Sequence, residues 1–166
     1  ITATYNVDFN VIKNNLNNAI DNVNALVADA GMLAKAAIDG KLSTRADASK
    51  HQGDFRKIVD GVNNTLDAVI LPVQEASAVL LELSKGNLKA RVTGDYKGDH
   101  ATIKTALNTS LVTLNDYVGE ISRILSSMSA GDLTVEITRD FTGDFAEIKK
   151  ALTLIVDSFN ELIGEI

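Results

Sequence analysis

At 166 residues, 45% hydrophobic and 23% charged, the chain is long enough for one ordinary domain or several small helical modules, and is neither disordered nor a charged tail. A net charge of −6 argues against nucleic acid or an anionic membrane as the main partner, and the lack of cysteine excludes a disulfide framework and thiolate chemistry. Aromatics are only 5%, with no Trp, which suits thin helical bundles where Leu, Ile, Val and Ala fill a narrow seam.

In chain order, helical apolar spacing covers residues 8–38, 54–85, 99–130 and 144–166, separated by breaks at Gly40–Gly53, Gly86–Gly98 and Gly131–Gly143. The glycine opening each break (Gly40, Gly86, Gly131) is placed as a left-handed helix stop. The Gly-Asp closing each break restarts a helix, with Asp54, Asp99 and Asp144 as N-caps or first-turn acids, and Asp144 with Glu147 fits a capping box. The first residue is Ile1, no basic segment leads into an apolar one, and no apolar run approaches the roughly 18–20 residues that span a bilayer. The chain is therefore read as a cytoplasmic segment of a longer receptor, with any membrane anchor or sensory domain lying outside it.

The elements repeat. Asp-Phe-x-x-Ile recurs at Asp8, Asp54 and Asp144, with Asp99-His100-x-x-Ile103 in the same series, at intervals of 46, 45 and 45 residues. Ile12-Lys13, Ile103-Lys104 and Ile148-Lys149 fall in register, as do Leu16-Asn17 and Leu107-Asn108. From Phe55 the apolar positions are Ile58, Val62, Leu66, Val69, Val73, Ala76, Leu80 and Leu83. The equivalent sets from Phe9 and His100 are apolar throughout except at His100 itself. The steps alternate between three and four with one extra four, the signature of a coiled-coil seam carrying a stutter.

A lone helix with so narrow a stripe is unstable and has to pair. The breaks indicate how. Leu88 and Val92 lie two and six residues after Gly86, and Leu133 and Ile137 likewise after Gly131. Apolar residues in a polar link need cover, which they gain if the link runs back along the bundle. The next helix then starts beside, and parallel to, the one just finished. Two parallel helices make half of a four-helix bundle, and a second copy completes it by two-fold symmetry.

These residues resemble a tandem array of HAMP domains, the signal-relay modules of bacterial receptors and sensor kinases. Pro72, 14 residues before Gly86, stands where that family carries a proline in its first helix, as a helix kink or start. Gly86-Asn87-Leu88-Lys89-Ala90-Arg91-Val92 and Gly131-Asp132-Leu133 with Ile137 match its connector. Gly40 and Leu42 give a third copy, one residue longer, with Ala46 in the place of Val92. GDFRKIVDGVNNTLDAVI, YKGDHATIKTALN and FTGDFAEIKKALT are similar to the variants found in methyl-accepting chemotaxis proteins. The sequence departs from the family pattern in using Gly-Asp, not Asp-Glu-x-Gly, to enter the second helix, and in having Leu26 and Tyr117 where the other first helices would carry Pro.

The resemblance implies an all-α fold: parallel dimeric four-helix coiled-coil bundles stacked end to end into a rod. Residues 1–20 would end a preceding unit, followed by units at 21–69, 70–114 and 115–166. It implies no enzyme, no cofactor, no metal and no small-molecule ligand. The expected partners are a second copy of the chain and the adjacent sensory and output domains of the same chain. The function implied is relay of conformational change between sensory input and the kinase-control output of a chemoreceptor. A passive coiled-coil spacer, a helical sensor bundle and the array of a sensor histidine kinase are the alternatives. The first unit, with Ala30, Ala34 and Ala37 in its seam, is expected to pack more loosely than its neighbours or in a different helix rotation, at roughly 0.8 kcal/mol for each methylene not buried.

Other candidates yield plainer readings. His51 and His100 lack acidic clusters at ligand spacing and are read as helix-start or surface residues. Gln74-Glu75-Ala76-Ser77 is similar to the Gln/Glu pairs of receptor methylation sites, but its small flanking residues and nearby Pro72 do not fit. No nucleophile, base and orienting group can be assembled into a catalytic set.

Overall fold

The long apolar-periodic segments become four helices: α1 (Val7–Ile38), α2 (Gly53–Ser84), α3 (Gly98–Ser129) and α4 (Ala146–Gly164). A computed structural model describes residues 1–4 and 6–164, with side chains as far as residue 161. The expected end of the last helix at residue 166 lies outside the described residues. The first three helices have 32 residues each, so each is about 48 Å long. No strand occurs among the described residues, and none of the helices is long and apolar enough to cross a membrane.

The glycines of the sequence pattern stop the helices by one geometry. At Gly86, φ is 84°, a region that Cβ-bearing residues avoid. The Gly86 N–H donates to Leu83 O at 2.8 Å and the Asn87 N–H to Glu82 O at 3.0 Å, the two bonds of a Schellman stop. Gly40 and Gly131 repeat the same pair of bonds.

The chain forms two compact parts, Ile1–Gln74 and Glu75–Ile166. In the first, the segment after α1 turns back along it, bringing His51 Nε2 to 2.6 Å from Asp29 Oδ2. The same segment meets α2 at Ala46–Asn63 and Arg45–Asp67, so it runs opposite to α2 as well. Two helices that are both antiparallel to one connector are parallel to each other. The second part repeats this: Thr142 bonds Tyr117 and Thr138 bonds Glu120 on α3, while Leu133 O accepts from Asn160 on α4.

Buried side chains gather where connector and helices meet. Val79, Val92 and Leu111 form one cluster, flanked by Ala76, Leu83, Leu88, Ala90, Tyr96 and Leu107. Ile124, Leu152 and Val156 form another, against Ile121, Met128, Val135 and Ile137. Both clusters lie in the second part.

The periodic seam is mostly not this core. Val118 and Leu125 are 52% and 49% exposed, whereas Tyr117 and Ile124, one residue before each, are 4% and 0% exposed. On α1, Phe9, Ile12, Leu16, Ile20, Val23 and Val27 are all exposed, as are Ile58, Val62, Val69, Val73 and Leu80 on α2. The connector covers a stripe beside the seam, and most of the seam faces out. Among the described residues, Leu111 is a seam residue that the chain buries fully by itself.

Two expectations resolve to one of their alternatives, and two others need correction. Pro72 does not start a helix; it is buried inside α2, where it withholds the N–H that would bond the carbonyl of Ala68. Asp54 and Asp99 are first-turn acids and not caps, because each helix already begins at the preceding glycine. The N-cap of α3 is Lys97, whose side chain has no acceptor. Asp144 lies within a 3₁₀ turn, Gly143–Phe145, and Glu147 pairs with Lys150 at 2.6 Å, so the capping box does not form. Finally, His51 is no surface residue: it is 3% exposed, because the returning connector presses its ring against α1.

Candidate functional site: the connectors

The connectors are where the sequence placed its functional residues, and the structure treats the three copies differently. Val92 is 2% exposed and Leu88 half-buried, both within the cluster on Val79 and Leu111. Leu133 and Ile137 are half-buried, Ile137 beside Ile124, Leu152 and Val156. In the first copy the expected order is reversed: Leu42 is exposed and Ala46 buried. The polar fastening explains this. Asn63 holds both backbone groups of Ala46, and Arg45 donates to Asp67 at 2.6 and 2.9 Å, drawing residues 45–46 inward while Leu42 stays out near the end of α1.

An acid on the first helix, whose role the sequence did not disclose, anchors each connector. Glu75 accepts from the backbone N–H of Thr93 at 2.6 Å, from Gly94 N–H at 3.2 Å and from the Tyr96 hydroxyl. The Tyr96 ring lies over Gly94 so closely that a Cβ there would meet it at 2.4 Å. Glu120 stands in the same place on α3. It accepts from Thr138 N–H at 3.2 Å and is held by Arg123 at 2.8 Å, while Arg123 also donates to Glu136 O. Asp29 is the third, paired with His51. The signal was legible: all three acids lie eleven residues before the glycine that ends their helix.

The acids' hydrogen bonds set their titration. The Tyr96 hydroxyl, with the Thr93 amide next, pulls the Glu75 carboxyl from 4.5 down to about 2. Arg123 does most of the same for Glu120, also to about 2. Carboxyls depressed on folding stabilise the fold fully above their unfolded value, and that contribution is lost as pH falls through the folded value. Stability is therefore expected to decline between about pH 4.5 and pH 2. Glu75→Gln should lower the melting temperature at pH 7 and flatten its fall across that window, read by circular dichroism. An unchanged slope would show that Glu75 does not carry this load.

The remaining chemistry is sparse. His100 is half-buried in the first turn of α3, its ring edge-on to Tyr96 at 6.4 Å. Tyr117 stacks on Phe141 at 4.5 Å and meets Phe145 at 4.9 Å, closing the entrance to α4. Among the described residues no group of three His, Cys, Asp or Glu is placed to hold a metal ion. What the arrangement can do is mechanical: it ties the end of one helix, a returning link and the start of the next into one hydrogen-bonded unit.

Comparison with known proteins gives a single result. The family model of the HAMP domain matches residues 50–116 and again 113–161, together most of the chain. No curated protein and no solved structure matches it.

Proposed function

Because the chain belongs to the HAMP domain family, whose members are non-catalytic signal-transduction linkers, we propose that it relays conformational change as a parallel homodimer within a bacterial chemoreceptor. The observation that carries this reading is the exposed seam. The connectors cover part of the coiled-coil stripe, at Leu111 above all, and leave most of it open: Val118, Leu125 and Leu80 are each about half exposed. A heptad stripe on each of two parallel helices is one half of a four-helix bundle, and a second copy supplies the other half by two-fold symmetry. The similarity of YKGDHATIKTALN and FTGDFAEIKKALT to the chemoreceptor variants favours that receptor class.

The mechanism is a shift between two packings of the seam that differ by a few kcal/mol, biased from one end and read at the other. The first helix, the anchored connector and the second helix move as a set, so displacement of one reaches the next. Adjacent sensory and output domains of the same protein supply input and readout, and the segment works in the cytoplasm.

The lack of native cysteine makes the test direct. Leu80→Cys is expected to cross-link two copies efficiently under mild oxidation, because a residue on a parallel two-fold seam meets its own equivalent. A solution monomer that does not cross-link would remove the reading. In the intact receptor, Leu88→Ala or Ile137→Ala should alter output without dissolving the dimer; output that follows dimer stability alone would make the chain a passive spacer.

A further inference from the structure

The repeat hides one unequal position. In the second copy of the connector, Asn108 on α3 makes a two-point bond to the backbone of Val92. The Val92 N–H donates to Asn108 Oδ1 at 2.9 Å, and Asn108 Nδ2 donates to Val92 O at 2.9 Å. The first copy has the same clamp, with the Ala46 N–H donating to Asn63 Oδ1 at 3.1 Å and Asn63 Nδ2 to Ala46 O at 2.8 Å. Both clamped residues are buried. A buried backbone outside helix or sheet leaves a donor and an acceptor unpaired, and the side-chain amide satisfies both at once.

The third copy lacks the clamp. Position 153 takes the place of Asn108 and is threonine, whose hydroxyl donates to Lys149 O at 3.0 Å within its own helix. Ile137, the counterpart of Val92, is only half-buried. Between connector and α4 lies an open groove of about 420 Å³ whose lining includes Ile137, Lys149, Thr153 and Val156. The α3 side still holds this connector through Glu120 and Tyr117. Among the described residues, the bond from α4 to this backbone is that of Asn160 Nδ2 to Leu133 O at 3.1 Å, at the connector's start.

We propose that the two-point asparagine clamp decides which connector yields: Asn63 and Asn108 are positioning residues that lock their connectors to the following helix, and the unclamped connector of residues 130–145 is the compliant joint of the relay. This rests on the relay reading. A relay needs links that transmit and a place that gives. Thr153 puts that place in the last copy, where the link can move against α4 without breaking buried backbone hydrogen bonds.

Amide hydrogen exchange on the whole chain tests it at residues 92 and 137. The Ile137 N–H is expected to exchange at least about tenfold faster than that of Val92, the factor for roughly one net hydrogen bond. Asn108→Ala should bring Val92 up to the Ile137 rate, whereas Asn108→Asp, which keeps the Oδ1 acceptor, should keep Val92 slow. Thr153→Asn needs no truncation and should slow Ile137 about tenfold. Equal rates at Val92 and Ile137, or an Ile137 rate indifferent to Thr153→Asn, would overturn the proposal. Light scattering on the same samples judges the relay separately: a monomer with slow Val92 and fast Ile137 would sink the two-copy relay and leave the clamp standing.

Discussion

Leu111→Ala is expected to destabilise the chain by about 2–5 kcal/mol, the range for deleting a fully buried leucine from a packed site. Leu111 is 0% exposed and joins Val79 of α2 to Val92 of the connector. Its removal opens a cavity that three elements would have to collapse together to fill. Those elements are pinned by Asn108 and by Glu75, so collapse is resisted and the upper half of the range applies. Denaturant unfolding followed by circular dichroism reads the loss. Val92→Ala should cost less, and the double variant should show coupling, because both side chains line one space. A loss below about 1 kcal/mol would mean that the connector is free to follow the helix inward.

The second large effect lies on the other face. Val118→Lys combined with Leu125→Lys is expected to weaken association of two copies by roughly a thousandfold, at about 1 kcal/mol for each of the four half-exposed apolar side chains lost from the two-fold seam. Both residues are about half exposed in the single chain and touch neither buried cluster, so the connector's own hydrogen bonds, Glu120 to Thr138 among them, stay in place. In a two-fold seam each lysine meets its counterpart, adding like-charge repulsion to the lost burial. Sedimentation should show a monomer at concentrations where the native chain is a dimer. Unchanged sedimentation would show that this stripe is not where the copies meet.

The two substitutions separate two surfaces that the sequence had merged. Periodicity identified one stripe per helix and assigned it the whole core. Residues Val79, Tyr117 and Ile124, which are buried, lie one place before the seam positions Leu80, Val118 and Leu125. A stripe broadened by one residue is hard to detect from hydrophobicity alone when the chain is rich in Ala and Val. The anchoring acids were missed for a related reason. Nothing in the local sequence around Asp29, Glu75 and Glu120 marks an anchor, and only the returning connector brings Thr93, Gly94 and Thr138 amides to two of them. Their shared offset from the stopping glycine was visible in the repeat, but not its meaning.

By itself the sequence determined the helices, their breaks and their repeat. Those features follow from local rules: a 3.6-residue period, a glycine free to adopt positive φ, and register-locked copies of Asp-Phe-x-x-Ile. The tertiary structure alone decided which side chains fasten the connectors. Ala46 is buried and Leu42 exposed despite their hydrophobicity, because Asn63 satisfies the Ala46 backbone from across the fold. His51 is buried because its partner, Asp29, lies twenty-two residues away on α1. Those outcomes depend on long-range pairing of polar groups that must be satisfied once covered, and residue spacing along the chain does not encode it.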